Sequence, residues 1–238
     1  MKITRIINGI KQRFYRGIYR RRKNDTYILM MHEVTDGEDA KYPELSIEKS
    51  NLERLIKEIQ SKGYVFDDLR NILDFSSKRV IVTFDDIFAN VLTNAVPILE
   101  KYNVPFTVFI TLEYIDQLGY ISGEQIKQLI KNPLCTIGFH ASKHIMMREH
   151  TNAEIAKIVN ATLFSEKYNV ECDYFAFPYG SMYACPKRAI REVAKLNYKA
   201  AFGTINSPVN ERTVRKNRYY IPRVCVSNQS LDNIIKSL

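Results

Sequence analysis

Two groups of residues have the types and spacing of a catalytic metal site. Asp85 and Asp86 are adjacent carboxylates at the end of the apolar run 80–84, and His140 and His144 are separated by three residues. Imidazoles at this spacing lie side by side on a helical turn and can share a metal. Two histidines, one carboxylate and open positions for water make up catalytic zinc sites. We therefore expect Asp86 to join the histidines as a ligand and Asp85 to act as a base on water.

Each half of this pattern has an ordinary alternative. Spaced histidines are commonly exposed or satisfied inside a core, and two acids after a strand are common in a helix cap or a loop. The occurrence of both halves at strand ends favours a site, because a buried unpaired charge is strongly disfavoured. Three of the four histidines, His32, His140 and His144, belong to the proposed site, and we expect His150 to lie in a surface loop.

The elements that must position these residues are short apolar strands that alternate with helices. Strands are predicted at 27–33, 64–66, 79–84, 105–110, 135–139, 174–177, 198–202 and 219–226. Helices are predicted between them, with caps at Ser46 or Ser50, at Ser122, and at Thr151 for a helix that runs to about Tyr168. Pro97 falls inside the helix predicted at 90–102, which should start late or be kinked. The alternation predicts an α/β fold with a parallel sheet, closed or nearly closed into a barrel, whose polar strand ends share one face.

The composition is that of an ordinary globular protein. The 238 residues suit one domain with a sizeable core, and 45% of them are hydrophobic and 26% charged. No apolar run is long enough to cross a bilayer. The four cysteines form no CxxC pair, which argues against a zinc finger or a redox motif and fits reduced thiols in a reducing compartment.

The net charge of +9 comes from the first 24 residues, which hold nine basic residues and no acid. The remainder is balanced, so the charge does not indicate nucleic-acid binding by the main domain. Apolar residues at positions 3, 6, 7, 10, 14 and 18 predict a basic amphipathic helix, which can lie on an anionic membrane. A helix packed on the domain, a loose basic arm and a transit peptide are alternatives. No apolar signal-peptide core is present, so we expect a cytoplasmic protein, peripheral on the inner membrane face, with a helix at 1–24 and one domain at 25–238.

Three motifs resemble those of a known family. TFDD at 83–86, HASKH at 140–144 and FAFPYG at 175–180 are similar, in order and spacing, to the first three motifs of the polysaccharide deacetylases, carbohydrate esterase family 4 or NodB-homology domain. The resemblance covers roughly residues 27–226 and implies a deformed (β/α) barrel of about seven parallel strands with a divalent metal, usually zinc.

The resemblance also implies roles for individual residues. Asp86, His140 and His144 correspond to the metal ligands and Asp85 to the general base, which acts on the water that attacks the acetamide carbonyl. Pro178 and Tyr179 correspond to the substrate-binding third motif, where the Tyr179 backbone N–H would help to hold the oxyanion.

The sequence departs from the common family pattern in three places. Ile87 replaces the glycine that usually follows the paired acids, the third motif lacks its arginine, and no histidine follows His150 to supply the general acid. The last two departures are similar to the poly-N-acetylglucosamine deacetylase branch, which implies His32 as the acid, with Glu33 as an orienting partner. In the same branch Arg223 would pair with the base. A hydrogen-bonded core histidine at position 32 and a surface ion pair at Arg223 are the alternatives.

These features predict a metal-dependent hydrolase that removes N-acetyl groups from an acetamido sugar of a surface polysaccharide or lipid-linked glycan. Two alternatives remain open. The departure at Ile87 and the incomplete motif set would also fit a non-catalytic carbohydrate-binding protein on the same fold. The same chemistry would also remove a different acyl group or an O-acetyl group.

Overall fold

A curved parallel sheet organises the protein, whose computed structural model describes residues 25–37 and 40–238. The strands are β1 (Thr26–Met31), β2 (Glu33–Thr35), β3 (Ser46–Glu48), β4 (Val65–Phe66), β5 (Arg79–Asp85), β6 (Phe106–Ile110), β7 (Cys135–Phe139), β8 (Tyr174–Ala176), β9 (Ala200–Phe202) and β10 (Val224–Cys225). The main sheet has the order β10-β1-β5-β6-β7-β8-β9, β4 pairs with the start of β5, and β2 and β3 form a separate pair. Every one of these strand pairings is parallel.

Burial explains why the sequence of the central strands is so apolar. All seven residues of β5 and all six of β1 are buried. Strands covered on both faces carry continuous apolar runs rather than alternating ones. The carboxyl ends of β5, β7 and β8 therefore come to one edge of the sheet, as predicted.

The sheet closes into a deformed barrel through the segment that precedes β10. Ile221 forms a parallel bridge with Phe202 of β9, and a few residues later Val224 pairs with Leu29 of β1. Residues 221–225 therefore join β9, at one edge of the sheet, to β1 near the other edge, which confirms the predicted nearly closed barrel.

Helices connect the strands. They are α1 (Lys49–Ser61), α2 (Val96–Lys101), α3 (Gly123–Lys131), α4 (Asn152–Ile158), α5 (Thr162–Tyr168), α6 (Lys187–Ala194), α7 (Glu211–Lys216) and α8 (Leu231–Ser237). Capping boxes at Ser122 and Thr151 begin α3 and α4, as predicted. The cap predicted at Ser46 or Ser50 is wrong, because Ser46 belongs to β3 and Glu48 precedes α1 without a side-chain cap bond.

Two helices differ from the simple pattern. A π-helical turn at Val91–Ala95 precedes α2, which places Pro97 in the first turn of an α-helix, where its missing N–H costs little.

The single helix predicted from Thr151 to Tyr168 is two helices. Asn160 Oδ1 accepts from the Thr162 N–H, while the Ile158 carbonyl at the end of α4 accepts from the Ser142 N–H. The break therefore ties α4 to the segment between the paired histidines.

The helix predicted at 1–24 lies outside the described residues, so that helix and the boundary at residue 24 stay predictions. Of the helices that the structure describes, none is both long enough and apolar enough to cross a bilayer.

Candidate active site

The carboxyl edge of the sheet holds a cleft of about 620 Å³. Six of the eight site residues predicted from the sequence line it: His32, Asp85, Asp86, His140, His144 and Tyr179. They lie at or after the carboxyl ends of β1, β5, β7 and β8. Arg223 lies behind Asp85, and Pro178 is buried, where its carbonyl oxygen meets the Cys185 thiol at 3.9 Å.

A sharp turn after β5 brings both adjacent carboxylates into the cleft. Side chains of neighbouring strand residues point to opposite faces, so the strand must bend. Asp86 and Ile87 have φ values of +62° and +54°, and the Ile87 N–H donates to the Asp85 carbonyl oxygen at 2.7 Å. Left-handed conformations are costly for residues other than glycine and gather at functional sites. The local strain thus serves to place Asp85 beside Asp86.

Asp86, His140 and His144 form a cluster that could hold a metal ion. One ligand atom from each lies within 4.8 Å of the others. Asp86 Oδ1 is 3.5 Å from His140 Nε2 and 3.4 Å from His144 Nε2. Two imidazole nitrogens and one carboxylate suit zinc or another divalent transition metal.

The ring of His140 is already oriented for a metal. Its Nδ1 lies 2.9 Å from the Ala176 carbonyl oxygen. A carbonyl only accepts hydrogen bonds, so Nδ1 carries the proton and the Nε2 lone pair faces Asp86. A backbone carbonyl behind a histidine is a common support of metal ligands. The donor set therefore fits the metal that the sequence predicts.

His144 reaches the cluster by a route that the sequence did not predict. The segment after His140 is not helical, because Ala141 takes a φ of +78° and turns the chain. The His144 N–H donates to Glu113 Oε1 at 2.5 Å. Glu113 lies in a loop far away in sequence and carries no motif that points to this role.

The electrostatics of the cluster favour a bound cation. Burial, followed by the nearby charge of Asp85, raises the pKa of Asp86 from 3.8 to about 6. Burial lowers the pKa of His140 from 6.5 to about 3 and also lowers the pKa of His144. Both imidazoles are therefore uncharged at neutral pH and able to ligate, while the Asp86 carboxylate lacks a compensating charge.

Asp85 stands in a different environment from Asp86. Two parallel bonds join it to Arg223, from Nη1 to Oδ1 at 2.7 Å and from Nη2 to Oδ2 at 2.6 Å. Burial acts to raise the pKa of Asp85, but Arg223, followed by His140, outweighs it and holds the value at about 2. Arg223 is fully buried, so the alternative of a surface ion pair is wrong.

His32 faces the cleft, but its predicted partner does not support it. Burial lowers the pKa of His32, while Asp85 and Asp86 act to raise it. Its Nδ1 has no hydrogen-bond partner among the described residues. Glu33 instead accepts hydrogen bonds from Asn90 Nδ2 and Ser46 Oγ, both at 3.0 Å. Glu33 therefore anchors the segments that contain Ser46 and Asn90 and does not orient His32.

The third motif makes a second strained turn at the cleft. Tyr179 has a φ of +57°, and the Ser181 N–H donates to its carbonyl oxygen at 2.6 Å. No described residue accepts a hydrogen bond from the Tyr179 N–H. Gly180, with a φ of +49°, is required, because a Cβ there would lie 2.3 Å from Thr204 Cγ2. The turn thus presents an unused backbone donor at the mouth of the cleft.

Sequence reasoning missed an aromatic side of the cleft. Tyr42, Tyr114 and Tyr120 line it, with the rings of Tyr114 and Tyr120 stacked at 4.3 Å. Tyr114 also stacks on His144 at 5.9 Å. Tyr114 and Tyr120 lie in the segment between β6 and α3, and Tyr42 lies between β2 and β3. The three residues form no motif that predicts their meeting.

Volume alone would not identify the site. A groove of about 650 Å³ lies at the opposite edge of the sheet, between the segments 160–173 and 196–198. The group of three metal-ligating side chains found among the described residues lies in the other cleft. The chemistry of the lining, and not its size, therefore marks the functional site.

Fold and site together define a (β/α)-barrel protein with a two-histidine, one-carboxylate centre at the carboxyl edge of its sheet. The chain belongs to the polysaccharide deacetylase family: the family model "Polysaccharide deacetylase" matches residues 73–201, more than half of its length. This match confirms the family that the three motifs predicted.

Relatives agree with the predicted branch and fold. The poly-beta-1,6-N-acetyl-D-glucosamine N-deacetylase of Staphylococcus aureus is 28% identical over 212 residues, covering 80% of this chain and 71% of that protein. The structure of IcaB from Ammonifex degensii has a TM-score of 0.74 at 20% identity and covers 90% of this chain and 96% of that one. The Streptococcus pyogenes deacetylase PplD, solved with acetate, has a TM-score of 0.76 at 18% identity, with coverages of 89% and 97%. At these identities the two structures confirm the deformed barrel and no more.

Proposed function

We propose that the protein is a metal-dependent N-deacetylase that acts on N-acetylglucosamine units of a surface polysaccharide, of the β-1,6-linked kind named for its staphylococcal relative. One observation carries the proposal: an ionised carboxylate, Asp85, lies beside the cluster of Asp86, His140 and His144 in a single cleft. The family and the named relative support the substrate class.

The cluster and the base have separate roles. A divalent metal held by Asp86, His140 and His144 would polarise the acetamide carbonyl and make water more acidic. Asp85 accepts a proton from the attacking water. Its two oxygens each accept one bond from Arg223, and each carboxylate oxygen keeps a further lone pair for this proton.

The remaining steps use the mouth of the cleft. As water attacks the carbonyl carbon, the Tyr179 N–H donates to the developing oxyanion. The carbon–nitrogen bond then breaks, and acetate is released. The protonated form of His32, which burial disfavours and the charges of Asp85 and Asp86 favour, donates its proton to the leaving sugar amine. Asp85 and His32 therefore act as base and acid on the two sides of one reaction.

The non-catalytic alternative is motivated by Ile87, which replaces a glycine, and by the incomplete motif set. The cluster beside Ile87 supports the catalytic function instead. Ile87 adopts the left-handed conformation at a φ of +54°, and the neighbouring cluster is assembled. Removal of an O-acetyl group remains the second candidate, because the same base and oxyanion donor would serve it.

Acetate release tests the proposal. Purified protein loaded with zinc should release acetate from a β-1,6-linked N-acetylglucosamine oligomer, and a chelator should stop the release. Asp85→Asn should lower the rate at least about a hundred-fold while zinc content is unchanged. Asp232→Asn, at an exposed surface ion pair, is the control. Zinc-loaded protein that releases acetate from no N-acetylated sugar would exclude the activity, and faster release from an O-acetylated sugar would favour the second candidate.

We infer the cellular placement from charge alone. The nine basic residues within 1–24 support peripheral contact with the anionic inner face of the membrane, in the cytoplasm. Deletion of residues 1–24 should release the protein from vesicles that contain anionic lipid. Equal binding by the shortened protein would refute this placement.

A further inference from the structure

The two histidines of the metal cluster are held in different ways. The ring of His140 is fixed by a hydrogen bond to the Ala176 carbonyl on β8. Among the described residues, the ring of His144 has no comparable bond to a neighbouring strand. Metal-binding histidines usually have such support, and its loss weakens metal binding. Something else must therefore hold His144 in position.

The loop after β6 provides that support through its backbone. The Leu112 N–H donates to the Ala141 carbonyl and the Glu113 N–H to the Ser142 carbonyl, both at 3.1 Å. These bonds fix the loop against the segment that joins the two histidines. They involve main-chain atoms only, so they remain when the side chain of Glu113 is changed.

The side chain of Glu113 extends the same contact to His144 itself. Its Oε1 accepts the His144 N–H at 2.5 Å, a short bond to a charged acceptor. The next residue, Tyr114, stacks its ring on the His144 imidazole at 5.9 Å with 26° between the planes. Tyr179 contacts the same imidazole at 4.6 Å. Glu113 therefore fixes the backbone of His144, while two tyrosine rings confine its side chain.

We propose that Glu113 is a positioning residue for the metal centre: its carboxylate holds the backbone of His144 so that Nε2 meets Asp86, with Tyr114 confining the ring. The role rests on the proposed function only in that the cluster binds a divalent metal. Glu113 itself is exposed and does not line the cleft, so it touches neither substrate nor metal. A substitution there changes the position of His144 and leaves the reacting groups in place.

The test compares Glu113→Ala with Glu113→Gln, because glutamine keeps an oxygen acceptor but not the charge. Zinc affinity is measured by competition with a chromogenic chelator in the full chain. Glu113→Ala should weaken zinc binding about ten-fold, whereas Glu113→Gln should stay close to the unmodified protein. Glu124→Ala, which removes an exposed glutamate paired with Lys127 on α3, is the matched control and should have no effect.

A second readout does not depend on the metal. In metal-free protein labelled at histidine, the His144 ring signals should broaden or shift in Glu113→Ala but not in Glu113→Gln, while the unfolding midpoint changes little. Equal zinc affinity of the alanine variant and the unmodified protein would overturn the proposal. Equal weakening by both variants would also overturn it, since charge and not the hydrogen bond would then matter. If the unmodified protein bound no zinc, the metal dependence of the proposed function would be refuted. If it bound zinc and the alanine variant bound zinc equally well, only the role of Glu113 would be refuted.

Discussion

Asp85 and Arg223 lie 138 positions apart in sequence and share a bidentate ion pair in which both side chains are buried, with exposed fractions of 2% and 0%. Arg223 also donates to Thr83 Oγ1 and to the Gly203 carbonyl, each at 3.2 Å. The guanidinium thus links β5, the end of β9 and the residue before β10. It ties these parts of the barrel together and keeps Asp85 ionised.

Loss of Arg223 should be costly for stability. Arg223→Ala leaves the Asp85 carboxylate buried without its partner, and breaking a buried pair in this way typically costs about 3–5 kcal/mol. The free energy of unfolding, measured with urea at neutral pH, should fall by about this amount. Arg223→Lys keeps the charge but not the two parallel hydrogen bonds, so its free energy of unfolding should lie between those of Arg223→Ala and the unmodified protein. If Arg223→Ala unfolded like the unmodified protein, the pair could not be buried as described.

Asp86 should destabilise the metal-free protein. Its pKa rises from 3.8 to about 6 on folding, so the folded state binds more protons than the unfolded state between these values. Stability therefore falls as pH rises through this window and stays at the lower level above it. The shift corresponds to about 3 kcal/mol at neutral pH. Asp86→Asn should accordingly raise the urea midpoint of metal-free protein above about pH 6 and have a much smaller effect near pH 4. A lower midpoint at neutral pH would contradict the assignment.

The same carboxyl group should set the pH dependence of metal binding. Burial lowers the pKa of His140 to about 3, so this imidazole stays neutral well below pH 6, and burial shifts the pKa of His144 in the same direction. Below about pH 6 the Asp86 carboxyl group is protonated, and it must lose this proton before it can bind a metal. Zinc affinity measured by calorimetry should thus be level above about pH 6 and fall about ten-fold for each pH unit below it. A fall of about a hundred-fold per unit would show that a histidine titrates together with Asp86.

The sequence predicted the residues that line the candidate site better than the residues that hold them in position. Order and spacing predicted that Asp86, His140 and His144 would lie together, because the carboxyl ends of β5 and β7 meet at one edge of the parallel sheet. The helical turn expected between the histidines is wrong, since Ala141 adopts a left-handed conformation that no local pattern requires. No sequence pattern predicts the contact between Glu113 and His144, because it depends on the packing of two loops.

The helices show the same limit. Thr151 and Ser122 were recognised because a capping box is a local arrangement. The break before α5 was not recognised, since the Ile158 carbonyl binds the distant Ser142 N–H in place of its own helix. Apolar periodicity continues across this break and gives no sign of it.

Ile87 provides a test of the strained turn that separates backbone conformation from burial. The side chain is 1% exposed, so its truncation should be destabilising at any backbone geometry, by about 2–5 kcal/mol for Ile87→Ala. At ordinary buried positions glycine is worse still than alanine. At a φ of +54° the order should reverse, because alanine keeps the left-handed strain of about 1–2 kcal/mol and glycine does not. Urea unfolding should therefore find Ile87→Gly more stable than Ile87→Ala, though less stable than the unmodified protein.

Acetate release by Ile87→Gly should persist, since glycine preserves the turn that places Asp85 and Asp86. If Ile87→Ala were the more stable variant, residue 87 would not occupy the left-handed region and the turn after β5 would need another explanation.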